Sequence, residues 1–212
     1  MRVYNSARMD SGFAPASTFK IPNSLFALEA GVISVDDTLR WDGVQRPVPR
    51  WNADQNMRSA FSYSTVWYYQ EMARRIGTER MRHFLDTLGY GNGNMEGGID
   101  RFWLGRGMRI TPLEQIAFLQ RLVANKVPFT QRVIALVKEI MIVEQKPEYI
   151  LRAKTGRGGE GLPETGWYVG YVESGEQTHI FALNIDVWKM KDVDARITIT
   201  RKILAAEGIL GR

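Results

Sequence analysis

The spacing of apolar residues changes once along the chain, from a helical period through the middle to strand-like alternation in the last third. A first helix is predicted over 17–31, running through Leu25, Phe26 and Leu28 to a stop at Gly31. Ser17 suits its N-cap or first turn, and Pro22 is tolerated only because it falls near the start. Residues 35–56 lose the period, carry Pro47, Pro49 and several Asp and Asn, and are predicted to be loop. Helical spacing returns over 66–76, 78–88, 111–124, with Pro112 near its first position, and 130–143. Strands are predicted over 149–154, 167–172 and 179–187, separated by Gly-rich turns, and a closing helix over 195–207 ahead of Gly208. Residues 1–6 read as a strand-like start with a polar continuation. A helical middle followed by an antiparallel sheet and a last helix is an α+β arrangement. We read it as one domain, 1–212, with a sheet lobe of about 1–30 and 147–212 and a helical lobe of about 31–146. No internal repeat, low-complexity tract or linker divides it.

Composition narrows the chemistry. With 212 residues, 44% of them hydrophobic, the chain can bury a core without disulfides. It has no cysteine, which excludes thiol catalysis and Cys-ligated zinc. His83 and His179 lie far apart in sequence, outside any metal-ligand spacing, and both read as ordinary helix and strand residues, so no metal is expected. The net charge of +5 is scattered, with tight groupings only as short as Arg74-Arg75, and no basic helix or aromatic-basic stripe points to nucleic acid. A modest positive field still favours small anionic substrates. No apolar run approaches the roughly 20 residues of a membrane span, and residues 1–6 lack the apolar segment of a secretion signal.

The candidate chemistry starts at Ser17-Thr18-Phe19-Lys20. On one helix the i, i+3 spacing puts both side chains on the same face, so the lysine amine can serve the serine hydroxyl as a base. A first-turn serine also has unpaired backbone N–H groups and the helix dipole to favour an oxyanion. Alone, S-x-x-K equally describes a capping serine and a solvated lysine. Lys154-Thr155-Gly156 is the rarer motif; it is predicted to end a strand just before a turn at Gly156-Arg157-Gly158-Gly159, where glycines let a substrate approach. Between them, Ser64 is placed either as an N-cap for the following helix or as a second hydroxyl that relays a proton. Tyr90-Gly91-Asn92 fits a local turn after a helix.

Taken together and in order, Ser17-Thr18-Phe19-Lys20, Ser64-Thr65-Val66, Tyr90-Gly91-Asn92, Phe102-Trp103-Leu104 and Lys154-Thr155-Gly156 closely resemble the class D (oxacillinase-type) serine β-lactamases. Trp51-Asn52-Ala53-Asp54-Gln55, Gly97-Gly98-Ile99-Asp100 and Gly166-Trp167-Tyr168-Val169-Gly170 extend the resemblance over nearly the whole chain. It implies a β-lactamase/penicillin-binding-protein-like fold, hydrolysis of penicillin-type antibiotics through a serine acyl-enzyme, and antibiotic resistance. It implies that Ser17 is the acylated nucleophile and that Lys20 is carbamylated by carbon dioxide or bicarbonate to N6-carboxylysine, the general base. By the same resemblance Trp103 holds the carbamate through its indole N–H, Ser64 relays protons, and Val66 and Leu104 form apolar walls. Lys154, Thr155, Gly156 and Arg196 face the substrate and its carboxylate, and the backbone N–H groups of Ser17 and Arg157 form the oxyanion hole. A periplasmic or secreted location and an optional homodimer are also expected from the family, with no other cofactor, no nucleic acid and no membrane contact.

The chain departs from the family in two places. Position 157 commonly carries a large apolar or aromatic residue there, and here it is Arg157. The signal peptide, N-terminal helix and first strand that members carry ahead of the segment at Val3-Tyr4-Asn5 are not seen, so an uncovered apolar face and an unpaired sheet edge are expected, with low solubility or association. A β-lactam sensor domain, acylated but not turned over, a D,D-peptidase-like protein and an inactive truncated product are the competing readings.

Overall fold

A computed structural model describes residues 2–105 and 107–210. In chain order the helices are α1 (Ser6–Met9), α2 (Lys20–Glu29), α3 (Met57–Ser62), α4 (Val66–Ile76), α5 (Thr78–Leu88), α6 (Pro112–Val123) and α7 (Gln131–Ile140), then α8 (Ala195–Ala206) at the end. Between α7 and α8 come the strands β1 (Ile142–Gln145), β2 (Ile150–Gly158), β3 (Glu164–Ser174) and β4 (Gln177–Val187). They form one antiparallel sheet in the order β1-β2-β3-β4. The α+β class is therefore as expected.

Local chemistry explains most element ends. Thr111 and Glu114 close a reciprocal capping box around Pro112 at the start of α6, and Asn56 and Ser59 do the same for α3. Gly77, at φ 81°, breaks the helical path between α4 and α5, and Gly89 ends α5 in the left-handed conformation. The sheet is covered on both faces. Trp167, Val169 and Tyr171 of β3 join the main core with the helices, whereas Leu151, Ala153, Tyr168 and Val172 pack with Leu204 of α8. Alternation along β2 thus turns Lys154 toward the helical side and Thr155 toward the α8 side.

Four expectations need correction. The helix predicted over 130–143 stops at Ile140, because the chain from Ile142 to Gln145 forms edge strand β1, paired with β2 through Ile142, Glu144 and Gln145, and the apolar residues here fit either period. Lys154-Thr155-Gly156 does not precede a turn: β2 continues through Gly158, with Arg157 opposite Gly166 and Gly158 opposite Thr165. Residues 2–5 form no strand, Tyr4 being 98% exposed, while Met1 lies outside the described residues. The N-cap of α4 is Thr65 and not Ser64, and residues 57–62 just before it, outside every predicted element, are a short helix.

Candidate active site

Ser17 sits in a buried 3-10 turn, Ala16–Phe19, that runs directly into α2. Its hydroxyl accepts a 2.9 Å hydrogen bond from Lys20 Nζ, the contact that the i, i+3 spacing predicts. Lys20 is 1% exposed, and its amine also lies over the Tyr69 ring at 5.2 Å. Burial first, and then the charge of Lys154, push its pKa well below the ordinary lysine value. Phe19, the residue before Lys20, stacks on the buried Trp103 with centroids 5.2 Å apart.

The turn is braced by a buried polar chain. Thr18 Oγ1 donates to Pro15 O at 2.7 Å and accepts from Gln115 Nε2 at 2.9 Å, and Tyr90 OH donates to Gln115 Oε1 at 3.3 Å. Ala16, fully buried at φ 47°, donates its N–H to Trp103 O at 2.8 Å. A non-glycine residue held there stores strain on the order of 1–3 kcal/mol, which the surrounding packing must offset. Ser64 is a second such residue, at φ 59°, and its Oγ accepts from Lys154 Nζ at 3.1 Å.

Lys154 is 4% exposed, and burial together with the Arg196 charge lowers its pKa to about 7. The glycines on either side of Arg157 let β2 press on the turn that carries Ser17. A Cβ on Gly156 would stand 3.0 Å from Pro15 O and 3.1 Å from Thr18 Cγ2, and one on Gly158 would stand 2.9 Å from Leu104 O. Arg196, at the start of α8, reaches across the strand and donates from Nη1 to Gly156 O at 3.1 Å. Its buried Nε has no partner, and burial lowers the guanidinium's pKa.

Two lysines and two serines are thereby drawn into paired contacts, with Thr155, Gly156 and Arg157 following Lys154 on β2. Val66 begins α4 immediately after Ser64-Thr65, and Leu104 borders an open cavity of about 670 Å³ that Gly105, Gly159 and Gln70 also line. His83 is exposed on α5 and His179 pairs with Val172 in the sheet, both remote in sequence from these contacts. Among the described residues no group of three or more His, Cys, Asp or Glu lies together, and no helix is long and apolar enough to cross a membrane. Gln115 and Tyr69 escaped the sequence reading because each looks like an ordinary helix residue. Only contact across the fold marks them out.

Known proteins resemble this chain in sequence and fold. The penicillin binding protein transpeptidase domain family matches residues 2–205. Beta-lactamase OXA-48 of Klebsiella pneumoniae is 42% identical over 207 residues, covering 97% of this chain and 78% of that protein. The crystal structure of the class D β-lactamase YbXI from Nostoc superposes with a TM-score of 0.95 at 52% identity, covering 97% of this chain and 87% of that one. FUS-1 (OXA-85), a class D β-lactamase from Fusobacterium nucleatum subsp. polymorphum, gives 0.95 at 36% identity, covering 98% and 87%. Likeness of this extent, over the segments that bring Ser17, Lys20, Ser64 and Lys154 together, establishes that the chain belongs to the class D β-lactamases.

Proposed function

We propose that this chain opens the β-lactam ring of penicillin-type antibiotics through an acyl-enzyme on Ser17, and so confers resistance to them. The observation that carries the reading is the 2.9 Å contact between Ser17 Oγ and the buried, charge-depleted amine of Lys20. A neutral amine takes the proton of a serine hydroxyl far more readily than an ammonium does. It is also the form that adds carbon dioxide: one N–C bond forms, one proton leaves, and the product is a carbamate anion that supplies the general base. An exposed lysine near pKa 10.4 is neutral in only roughly one molecule in 2,500 at pH 7, so burial is what makes this modification available. The surroundings fit it, since Tyr69, Phe19 and Trp103 crowd this end of the fold and the indole N–H can only donate.

In that state Lys20 accepts the Ser17 proton as Oγ bonds to the lactam carbonyl carbon. The backbone N–H groups of Ser17 and Arg157 hold the oxyanion, a pre-oriented pair worth about 3–4 kcal/mol per donor in comparable sites. Ser64, tied to Lys154, passes a proton to the departing lactam nitrogen as the C–N bond breaks. Lys20 hands the Ser17 proton on to Ser64 and is a base again; it then takes a proton from water as the water oxygen attacks the acyl carbon, and returns it to Ser17 Oγ as the ester C–O bond breaks. Thr155, Gly156, Lys154 and Arg196 receive the substrate carboxylate, for which the unpartnered Nε of Arg196 is one donor in waiting. Val66 and Leu104 limit water around the base. The reaction would lie between the two lobes, about 1–30 with 147–212 on one side and about 31–146 on the other. The periplasm or the cell exterior is the compartment that the family likeness supports.

Ring opening is followed by the loss of β-lactam absorbance with a penicillin and added bicarbonate. Turnover by the wild type and its abolition in Ser17→Ala are expected. Equal loss of absorbance with both proteins would contradict the assignment of Ser17.

A further inference from the structure

Arg157 occupies the position next to Gly156 on β2, and the two-residue alternation of a strand puts it on the same face as Thr155, about 6.5–7 Å further along. That face is the one packed by α8, from which Arg196 reaches Gly156 O, the carbonyl between Thr155 and Arg157. The guanidinium of Arg157 is fixed from two sides. Its Nε donates to Glu164 of β3, and Nη1 lies 2.8 Å from Met190 Sδ, in the connection from β4 to α8. Its side chain keeps 35% of its surface open. Burial, countered by Asp194 and reinforced by the charge of Arg157, depresses the pKa of Arg196, so the two guanidinium groups feel each other. Two fixed cations therefore stand close together at the α8-packed face of β2, and one of them, Arg196, has an unsatisfied donor.

We propose that Arg157 makes the carboxylate end of the cleft a two-cation subsite that selects β-lactams by the charge of the ring substituent beside the carboxylate, favouring anionic groups and rejecting cationic ones. The inference rests on the hydrolase reading above, with the ring carboxylate between Thr155 and Arg196. In a cephalosporin the ring carbon adjacent to the carboxylate-bearing carbon carries the substituent that varies most in charge. Held in that pose, this substituent is the part of the molecule nearest to the next group along the strand, Arg157. Glu164 anchors the guanidinium through Nε and Met190 Sδ takes Nη1, while the side chain stays partly open to solvent. A cationic substituent would face Arg157 and Arg196 together, and like charges so placed oppose binding.

The test compares kcat/KM for two cephalosporins with the same acyl side chain, one with a carboxylate-bearing and one with a quaternary ammonium substituent on that ring carbon. The ratio of anionic to cationic compound is measured in wild type, Arg157→Met, Arg157→Lys and Glu164→Gln at low ionic strength. Arg157→Met is expected to lower the ratio about fivefold, the order of one partly exposed charge contact, and salt should shrink the difference. Arg157→Lys should keep most of the preference and Glu164→Gln should raise it, which separates charge from packing. An unchanged ratio in Arg157→Met, with both compounds still hydrolysed, overturns this inference alone. A wild type that neither hydrolyses nor is acylated by either compound overturns the hydrolase reading, and this inference with it.

Discussion

At the scale of single residues, the fold disfavours the charged form of a lysine beside the candidate serine. Lys20 is buried beside the Tyr69 ring and feels the charge of Lys154, so both effects disfavour its ammonium form. Lys20→Ala should slow turnover by at least about a hundredfold, as loss of a general base does, and added bicarbonate should not restore it. Recovery of the variant with bicarbonate, followed by β-lactam absorbance, would place the base elsewhere. The same lysines set a pH dependence of stability. Lys20 and Lys154 have lowered pKa values when folded, the latter about 7, and return to the model-peptide value of 10.5 when unfolded. Between about pH 7 and 10 the unfolded chain therefore binds more protons, and stability rises with pH. Buried Tyr69 and Tyr90, held protonated by desolvation, reverse the trend only above that window. Thermal unfolding in bicarbonate-free buffer should show a higher midpoint near pH 9 than near pH 7; a fall over that interval would mean that the lysines are charged in the folded protein.

At the scale of elements, what matters is how closely β2 lies on the 3-10 turn that carries Ser17. Gly156→Ala brings a methyl group to 3.0 Å from a backbone oxygen and 3.1 Å from Thr18 Cγ2. Chemical denaturation should report a loss of about 1–3 kcal/mol, the usual cost of overpacking, together with reduced acylation. Wild-type stability and activity in that variant would show that strand and turn have room between them. This contact also explains a failure of sequence reading. Glycines at 156, 158 and 159 look like a turn, whereas the first two serve close packing inside a strand. Helices α4 and α5 were legible because Gly77 and Gly89 interrupt a strong apolar period at their ends. Edge strand β1 was not, since apolar residues continue from α7 into it without punctuation. Ser17 and Lys20 were legible as a pair because a single helical turn joins them. Gln115 was silent, since its partner Thr18 is 97 residues away.

At the scale of the whole molecule, β4 is the outer strand of the sheet and α8 carries apolar residues beside it. Among the described residues, Ile199, Ile203, Trp188 and Met190 are between 41% and 69% exposed. A long strand with a free edge and apolar neighbours is a template for pairing with another chain. Light scattering after size exclusion is therefore expected to find dimers or larger species of this 212-residue chain, dispersed by charged substitutions on β4. A monodisperse monomer with cooperative unfolding would contradict that expectation. β3 separates β4 from β2, the strand on which the turn carrying Ser17 packs. The central claim, that Ser17 is acylated and Lys20 then releases it with the help of carbon dioxide, is tested most directly by intact-mass analysis over time after mixing with a penicillin, with and without bicarbonate. The account predicts a penicilloyl adduct that appears and decays quickly with bicarbonate and persists when carbon dioxide is removed. An adduct that persists in both conditions would mark a sensor-like protein, and the absence of any adduct would contradict the nucleophile itself.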